Sequence, residues 1–317
     1  MNRPIVDNAA PRPVIIDTDP GIDDAMAILG AFADPALEIR GLTTVFGNVP
    51  LATATRNTLQ LVELAARSVP VAAGAALPLR RPPAPHPEIV HGTDGFGGVQ
   101  LPEPAIAPDT RTAPVFLAEE TRAARAAHSP LTIVALGPLT NLALALEASP
   151  AIVEDVAGVI VMGGAVRHPG NVTDEAEANF WQDPHAAALV LAAPWPVTLI
   201  GLDVTECARL YPEDLAALPP GRCTAFLARA ARHYAAFHLD TRGFHGCYLH
   251  DPTAAAAAAD PALLETRRLP LAVTLEGAAE GMVREAPGSD EVEVAIAANA
   301  PGIRARLLGG LAAGRLP

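Results

Sequence analysis

The sequence predicts an α/β protein: a single domain on a mostly parallel, doubly wound, Rossmann-like sheet, with a small antiparallel addition near the C-terminus. Three observations predict it. Short β-branched or apolar segments each end in small and polar residues, as buried parallel strands do where they hand over to loops. Helical patterns lie between them, and this alternation implies right-handed βαβ crossovers with helices on both faces of the sheet. The C-terminal segment changes character, with short strand-like runs separated by Gly, Ala and Pro.

In chain order, residues 14–17 (VIID) form the first strand. Pro20-Gly21 turns the chain, and Asp23 and Asp24 open a helix over 23–32, where acidic side chains gain from the helix dipole. A second strand at 41–46 (GLTTVF) leads to a helix at 52–66. The proline-rich stretch 78–87 fits neither pattern and reads as a surface excursion. A helix at 115–127, a strand at 131–136 (LTIVAL) and a helix at 139–148 follow. Next come a strand at 159–162 (VIVM), a helix at 184–192 that begins on a proline, and a strand at 197–202 (VTLIGL). Short strands are expected at 271–276, 281–286 and 291–298, then a helix from Pro301. No linker, charge block or repeat divides the 317 residues, so 1–317 is expected to be one domain with a core over about 13–312.

The formal charge of −13, from 35 acidic and 22 basic side chains, repels a phosphate backbone and argues against a nucleic-acid partner. The segment MNRPIVDNAAPRP has no apolar h-region, and no apolar run reaches the roughly 18 to 20 residues that span a bilayer. A soluble, cytoplasmic protein with no membrane partner is expected. Cys207, Cys223 and Cys247 are widely spaced without a CxxC pair, which suggests three free thiols and neither a disulfide framework nor a zinc site.

Ligands of open α/β sheets sit beyond the carboxyl ends of the strands. Asp17, Asp19, Asp23 and Asp24 follow the first strand, Asn48 the second, and Asn171, Glu177 and Asn179 the strand that ends at Met162. Four carboxylates in eight residues repel one another unless something positive sits among them. Helix capping accounts for one or two of these acids, but not for Asp17 and Asp19 at the end of a buried strand. Hard oxygens without nearby Cys or clustered His favour Ca²⁺ or Mg²⁺ over zinc, and a further acid must come from elsewhere. Tyr248-Leu249-His250-Asp251-Pro252 can supply it: Asp251 to close a metal site, His250 as a proton donor beside it. Taken alone, His-Asp-Pro is also an ordinary helix start.

DTDPGIDDAMAI at 17–28, TTVFGN at 43–48, HGTDG at 91–95, LGPLTN at 136–141, VMGGAVRHPGN at 161–171, EAN at 177–179 and YLHDP at 248–252 together resemble the inosine-uridine preferring nucleoside hydrolases. The match follows the family's order over almost the whole chain. The aspartate motif is highly specific, whereas HGTDG or LTN alone is weak. The resemblance implies hydrolysis of the N-glycosidic bond of ribonucleosides, with Ca²⁺ held by Asp19, Asp24, Asp251 and the main-chain carbonyl of Leu136. It makes Asp19 the base that takes a proton from the calcium-bound water. Asp23, Asn48, Met162, Asn171, Glu177 and Asn179 match positions that line the ribose pocket. His250 matches the histidine assigned to the leaving base, and His91 a second histidine near the mouth of the pocket. Family members commonly form dimers or tetramers, so a homo-oligomer is expected.

Cleavage of an N-ribosidic bond develops positive charge on the sugar, so a carboxylate-rich pocket stabilises the transition state more than the neutral ground state. Ala178 departs from the family, standing where an aromatic residue is often found against the ribose. The segment 234–244 falls in the family's variable base-binding region and is expected to be mobile. Tyr234, His238 and Arg242 are its candidate base contacts, against the alternative that each is a helix-surface residue. No clear aromatic sandwich for purines is visible, and with His91 and His250 both present the expected specificity is pyrimidine-preferring or broad inosine/uridine. Two other readings stay open: a catalytically silent nucleoside-binding protein, and a haloacid-dehalogenase-like Mg²⁺-dependent phosphatase, which shares the Asp-Thr-Asp spacing.

Overall fold

A strand covered on both faces must be apolar on both, and Val14, Ile15 and Ile16 are each at most 1% exposed. The computed structural model describes residues 10–317, so most of the leading segment lies outside the described residues. Val14 and Ile16 enter a core shared with the helices Ile22–Ala33, Arg222–Arg242, His250–Ala259 and Ala300–Ala312. Ile15 enters a second core with Phe116, Leu142 and Val190 of the helices Ala113–Ala126, Thr140–Ala148 and Pro184–Ala192. The sheet is therefore doubly wound.

Six strands form its parallel centre: β1 (Arg12–Thr18), β2 (Leu37–Thr44), β3 (Val71–Ala73), β4 (Thr132–Ala135), β5 (Gly158–Met162) and β6 (Val197–Ile200). Their spatial order is β3-β2-β1-β4-β5-β6, and the direction of winding reverses between β1 and β4. Such a reversal opens a crevice at the carboxyl ends of the two strands, where ligands settle. Asp17 lies there, opposite Thr43 on β2 and Ala135 on β4.

The helices expected over 23–32, 52–66, 115–127, 139–148 and 184–192 are all present, with ends that differ by about two residues. The second strand starts earlier than expected, at Leu37, and stops at Thr44. Val45 and Phe46 instead curl over the end of β1, where Val45 N–H donates to the Thr18 carbonyl at 3.1 Å. The C-terminal strands are β9 (Leu264–Val273), β10 (Val283–Glu285) and β11 (Glu291–Ala298). β9 runs antiparallel to both of its neighbours, while β11 pairs parallel with β6, so the antiparallel element extends the main sheet to nine strands.

A separate two-stranded sheet joins β7 (Arg209–Leu210) to β8 (Cys247–Tyr248). It closes the long Arg222–Arg242 helix back toward the His250 helix. Tyr234 and His238 lie within that long helix and Phe244 just beyond it, the helix ending at Gly243 in the left-handed conformation (φ 71°). Cys207 is exposed, Cys223 and Cys247 are buried, and all three are free. Among the described residues no helix is long and apolar enough to cross a membrane.

Candidate active site

The turn after β1 gathers its carboxylates by backbone geometry. Asp24 caps its own helix: Gly21 N–H donates to Oδ2 at 2.9 Å, and the Thr18 hydroxyl to Oδ1 at 2.5 Å. The Asn48 side-chain amide also donates to Oδ2 at 3.1 Å. Asp19 accepts the Asn48 backbone N–H at 2.6 Å through Oδ2, and its buried Oδ1 has no hydrogen-bond partner among the described residues. Gly47 and Gly137 crowd this carboxylate so closely that a Cβ on either would collide with it; at Gly137 it would lie 2.5 Å from Oδ1. Asp17 serves a different end, accepting from the Thr43 hydroxyl at 2.5 Å and the Asn141 amide at 2.7 Å, and so ties β1 to β2 and to the Thr140–Ala148 helix.

Asp251, on the first turn of the His250 helix, completes the cluster. Ligand atoms of Asp23, Asp24 and Asp251 lie within 4.8 Å of one another, and all three residues are buried. Burial, then the charge of Asp24, raises Asp19 well above the ordinary carboxylate range; burial, then Asp24 and Asp23, does the same to Asp251. Burial and the charge of Asp23 also raise Asp24, and burial raises Asp23 to about 6. Buried acids this close stay charged only beside a cation. The donor set, oxygens alone with orphaned Oδ1 atoms on Asp19 and Asp23, fits a hard divalent ion.

Over this cluster opens a cavity of about 390 Å³. Asp23, Asn48, His91, Leu136, Met162, Asn171, Glu177, Asn179, Tyr234, His238, Arg242, His250 and Asp251 all line it. Among the candidate residues, only Asp19 and Asp24 lie behind its wall. Glu177 caps the short Ala178–Gln182 helix and accepts from Gly164 N–H at 2.8 Å. The Asn179 amide donates to the carbonyls of Leu136 at 2.7 Å and Met162 at 3.1 Å, holding the ends of β4 and β5 in register with the pocket. The exposed Asn171 accepts from Ala178 N–H at 2.9 Å.

The chain that places a buried acid cluster at this β1/β4 switch point, below a cavity large enough for a small ligand, matches one family model. The model, described as inosine-uridine preferring nucleoside hydrolase, covers residues 14–305. The chain belongs to this family. It is 40% identical over 271 residues to uridine nucleosidase 1 of Arabidopsis thaliana, covering 84% of this chain and 80% of that one. It is 39% identical over 258 residues to the pyrimidine-specific ribonucleoside hydrolase RihA of Citrobacter koseri, covering 80% and 81%. Among solved structures it resembles the plant nucleoside hydrolase PpNRh1 (TM-score 0.89, 34% identity, 96% and 99% covered). It also resembles a purine-preferring ribonucleoside hydrolase from Gardnerella vaginalis (TM-score 0.87, 30% identity, 95% and 99% covered). The protein is thus a nucleoside hydrolase, an enzyme that cleaves N-glycosidic bonds. The phosphatase alternative rested on the Asp-Thr-Asp spacing alone, and this is not the family that the chain matches.

Beside the acids, where the Tyr234 hydroxyl donates to Asp23 Oδ2 at 3.4 Å, the hydrolase builds an aromatic wall that local sequence did not disclose. Tyr234 and His238 ring centroids lie 4.3 Å apart, His238 and Tyr248 4.7 Å, and Tyr248 and His250 5.4 Å. Phe237 and Thr241 line the same cavity, and Arg209 stacks over Phe244 and Tyr248. Tyr234 and His238 are each 3% exposed, so neither is a helix-surface residue, whereas Arg242 is exposed at the cavity's edge, 3.7 Å from Glu206. Thr205 was also missed: its buried hydroxyl lies 2.8 Å from His250 Nδ1. Burial holds the imidazoles of His91 and His238 down at about 4 and that of His250 at about 3, so all three are neutral near pH 7.

Proposed function

We propose that this hydrolase releases ribose and free base from ribonucleosides, with a pyrimidine preference or a broad inosine/uridine range, and that it does so with Ca²⁺. The observation that carries the reading is the buried carboxylate cluster of Asp19, Asp23, Asp24 and Asp251 beneath the cavity. Asp19, Asp24, Asp251 and the Leu136 carbonyl would hold the ion. When bound, Ca²⁺ supplies positive charge that keeps the cluster ionised and oxygen coordination that fixes the ribose diol and a water molecule.

The side chains divide the remaining work. Asp23, Asn48, Asn171, Glu177 and Asn179, with Met162, grip and orient the ribose hydroxyls. Asp19 takes the proton from the attacking water. Oxygen bonds to the anomeric carbon as the carbon–nitrogen bond breaks, and that electron pair leaves with the base. The acidic pocket stabilises the oxocarbenium-like charge that grows on the sugar. Neutral His250 meets the departing base with a hydrogen bond, a role that its neutrality favours over full proton transfer. The whole chain acts as one domain in the cytoplasm, and the family resemblance favours a homodimer or homotetramer.

Ribose release from uridine, cytidine, inosine and adenosine tests the reading. Wild type is expected to turn over at least one of them, and chelation and Asp19→Ala are each expected to reduce the rate at least about a hundredfold. A wild type that binds nucleosides but releases no ribose would be the silent binding protein instead.

A further inference from the structure

Three histidines face the cavity with different nitrogen chemistry, and their hydrogen bonds fix which is which. His91 Nδ1 accepts the Ile22 backbone N–H at 3.2 Å. A backbone amide can only donate, so the ring proton of neutral His91 sits on Nε2. Asp23 Oδ1, 3.9 Å from Nδ1, is beyond hydrogen-bond reach. His238 Nδ1 lies 2.9 Å from the Gly246 carbonyl. A carbonyl can only accept, so Nδ1 carries the proton and Nε2 offers a lone pair. The buried Thr205 hydroxyl has no side-chain or carbonyl partner among the described residues except His250 Nδ1, so it donates there and leaves the His250 proton on Nε2. Among the described residues none of the three Nε2 atoms has a protein partner, and none belongs to the sealed, unpartnered polar atoms of the interior; each opens to the cavity.

Ring-to-ring contacts place these groups in the order His91, Tyr234, His238, Tyr248, His250 along the wall. The three histidines, with a tyrosine between each pair, read donor, acceptor, donor. The imide edge of uracil reads acceptor, donor, acceptor (O2, N3–H, O4), whereas cytosine presents two adjacent acceptors and a donor. We propose that this histidine row reads the imide edge of the base, and that His238 Nε2 accepts the N3–H and thereby selects uridine over cytidine. The assignment rests on the nucleoside hydrolase reading above. Burial of His238 keeps its lone pair free at neutral pH. A base that turns an acceptor toward His238 leaves two lone pairs facing each other in a desolvated pocket, which sites built for hydrogen bonds reject strongly.

The test is kcat/KM for uridine and cytidine in wild type and His238→Phe, with the bases uracil and cytosine as competitive inhibitors of wild type. Wild type is expected to favour uridine over cytidine at least about tenfold, and uracil to inhibit more strongly than cytosine by a similar factor. In His238→Phe the uridine-to-cytidine ratio is expected to fall toward one. A wild type that hydrolyses both nucleosides within a factor of about two, or a variant that keeps the wild-type ratio, overturns the assignment while leaving the hydrolase reading intact. Absence of ribose release from every nucleoside overturns both. The wild-type arms decide the matter even where the variant does not fold.

Discussion

The hydroxyl of Thr205, with one partner, settles which nitrogen of His250 faces the cavity. Thr205→Val keeps the shape and removes the donor, leaving His250 free to turn or to move its proton to Nδ1. We expect kcat for ribose release to fall about tenfold with KM changed less than about threefold, since a buried acceptor left unpaired costs about 1–3 kcal/mol. A purely structural threonine would lower the thermal midpoint and leave kcat of the folded enzyme alone. Residues of this kind were not legible in the sequence: Thr205 and His250 are 45 positions apart, and neither carries a local sign of the other. Asp19, Asp23 and Asp24 were legible because four acids in eight residues at a strand end have few purely structural explanations. Tyr248 was visible only as a letter in a motif, because its place in the aromatic wall depends on His238 and Phe244 arriving from the long helix and the turn beyond it.

Among the elements, the turns after β2 and β4 matter most, since Gly47 and Gly137 let the backbone close around Asp19. Gly137→Ala places a methyl group 2.5 Å from Asp19 Oδ1, and the carboxylate must shift. A base displaced by a few tenths of an ångström is expected to lose about ten- to a hundredfold in kcat. Unchanged turnover in Gly137→Ala would mean that the position of Asp19 is not critical. The strands and helices that build the switch point were legible from alternating buried runs and helical periods. The Arg222–Arg242 helix was not, although its buried positions Cys223, Phe226, Leu227, Ala230, Ala231, Tyr234, Ala235 and His238 recur at helical spacing. Alanine and histidine contribute so little apolar contrast that the stripe is faint. β9 began earlier than expected because Glu265, Thr266, Arg267 and Arg268 are all exposed and show no inside-outside alternation.

For the molecule as a whole, the buried acids couple stability to pH and metal. Burial raises Asp17 to about 7 and Asp23 to about 6, and it raises Asp19, Asp24, Asp251 and Glu177 as well. Carboxyls with raised values in the fold contribute stability that is complete below their unfolded values near 4 and is lost as pH rises through the folded values. The three lowered histidines act the other way, losing stability as pH falls from 6.5 toward 4. Above pH 6.5 only the acids are still changing. The chelated enzyme is therefore expected to lose roughly 5 °C or more of thermal midpoint between pH 6.5 and about 8, and saturating Ca²⁺ to abolish most of that loss. A chelated enzyme with a flat or rising midpoint over this range would contradict the picture of acids held together without a cation.

Whether the acid cluster works through a bound cation is tested by a calcium back-titration of the chelated enzyme, with bound ion and ribose release followed together. Activity is expected to return in proportion to binding and to saturate at one ion per chain, and Asp24→Asn, which weakens a ligand, is expected to shift both curves to higher calcium. Full ribose release from an enzyme with no divalent ion bound would contradict a role for the cation.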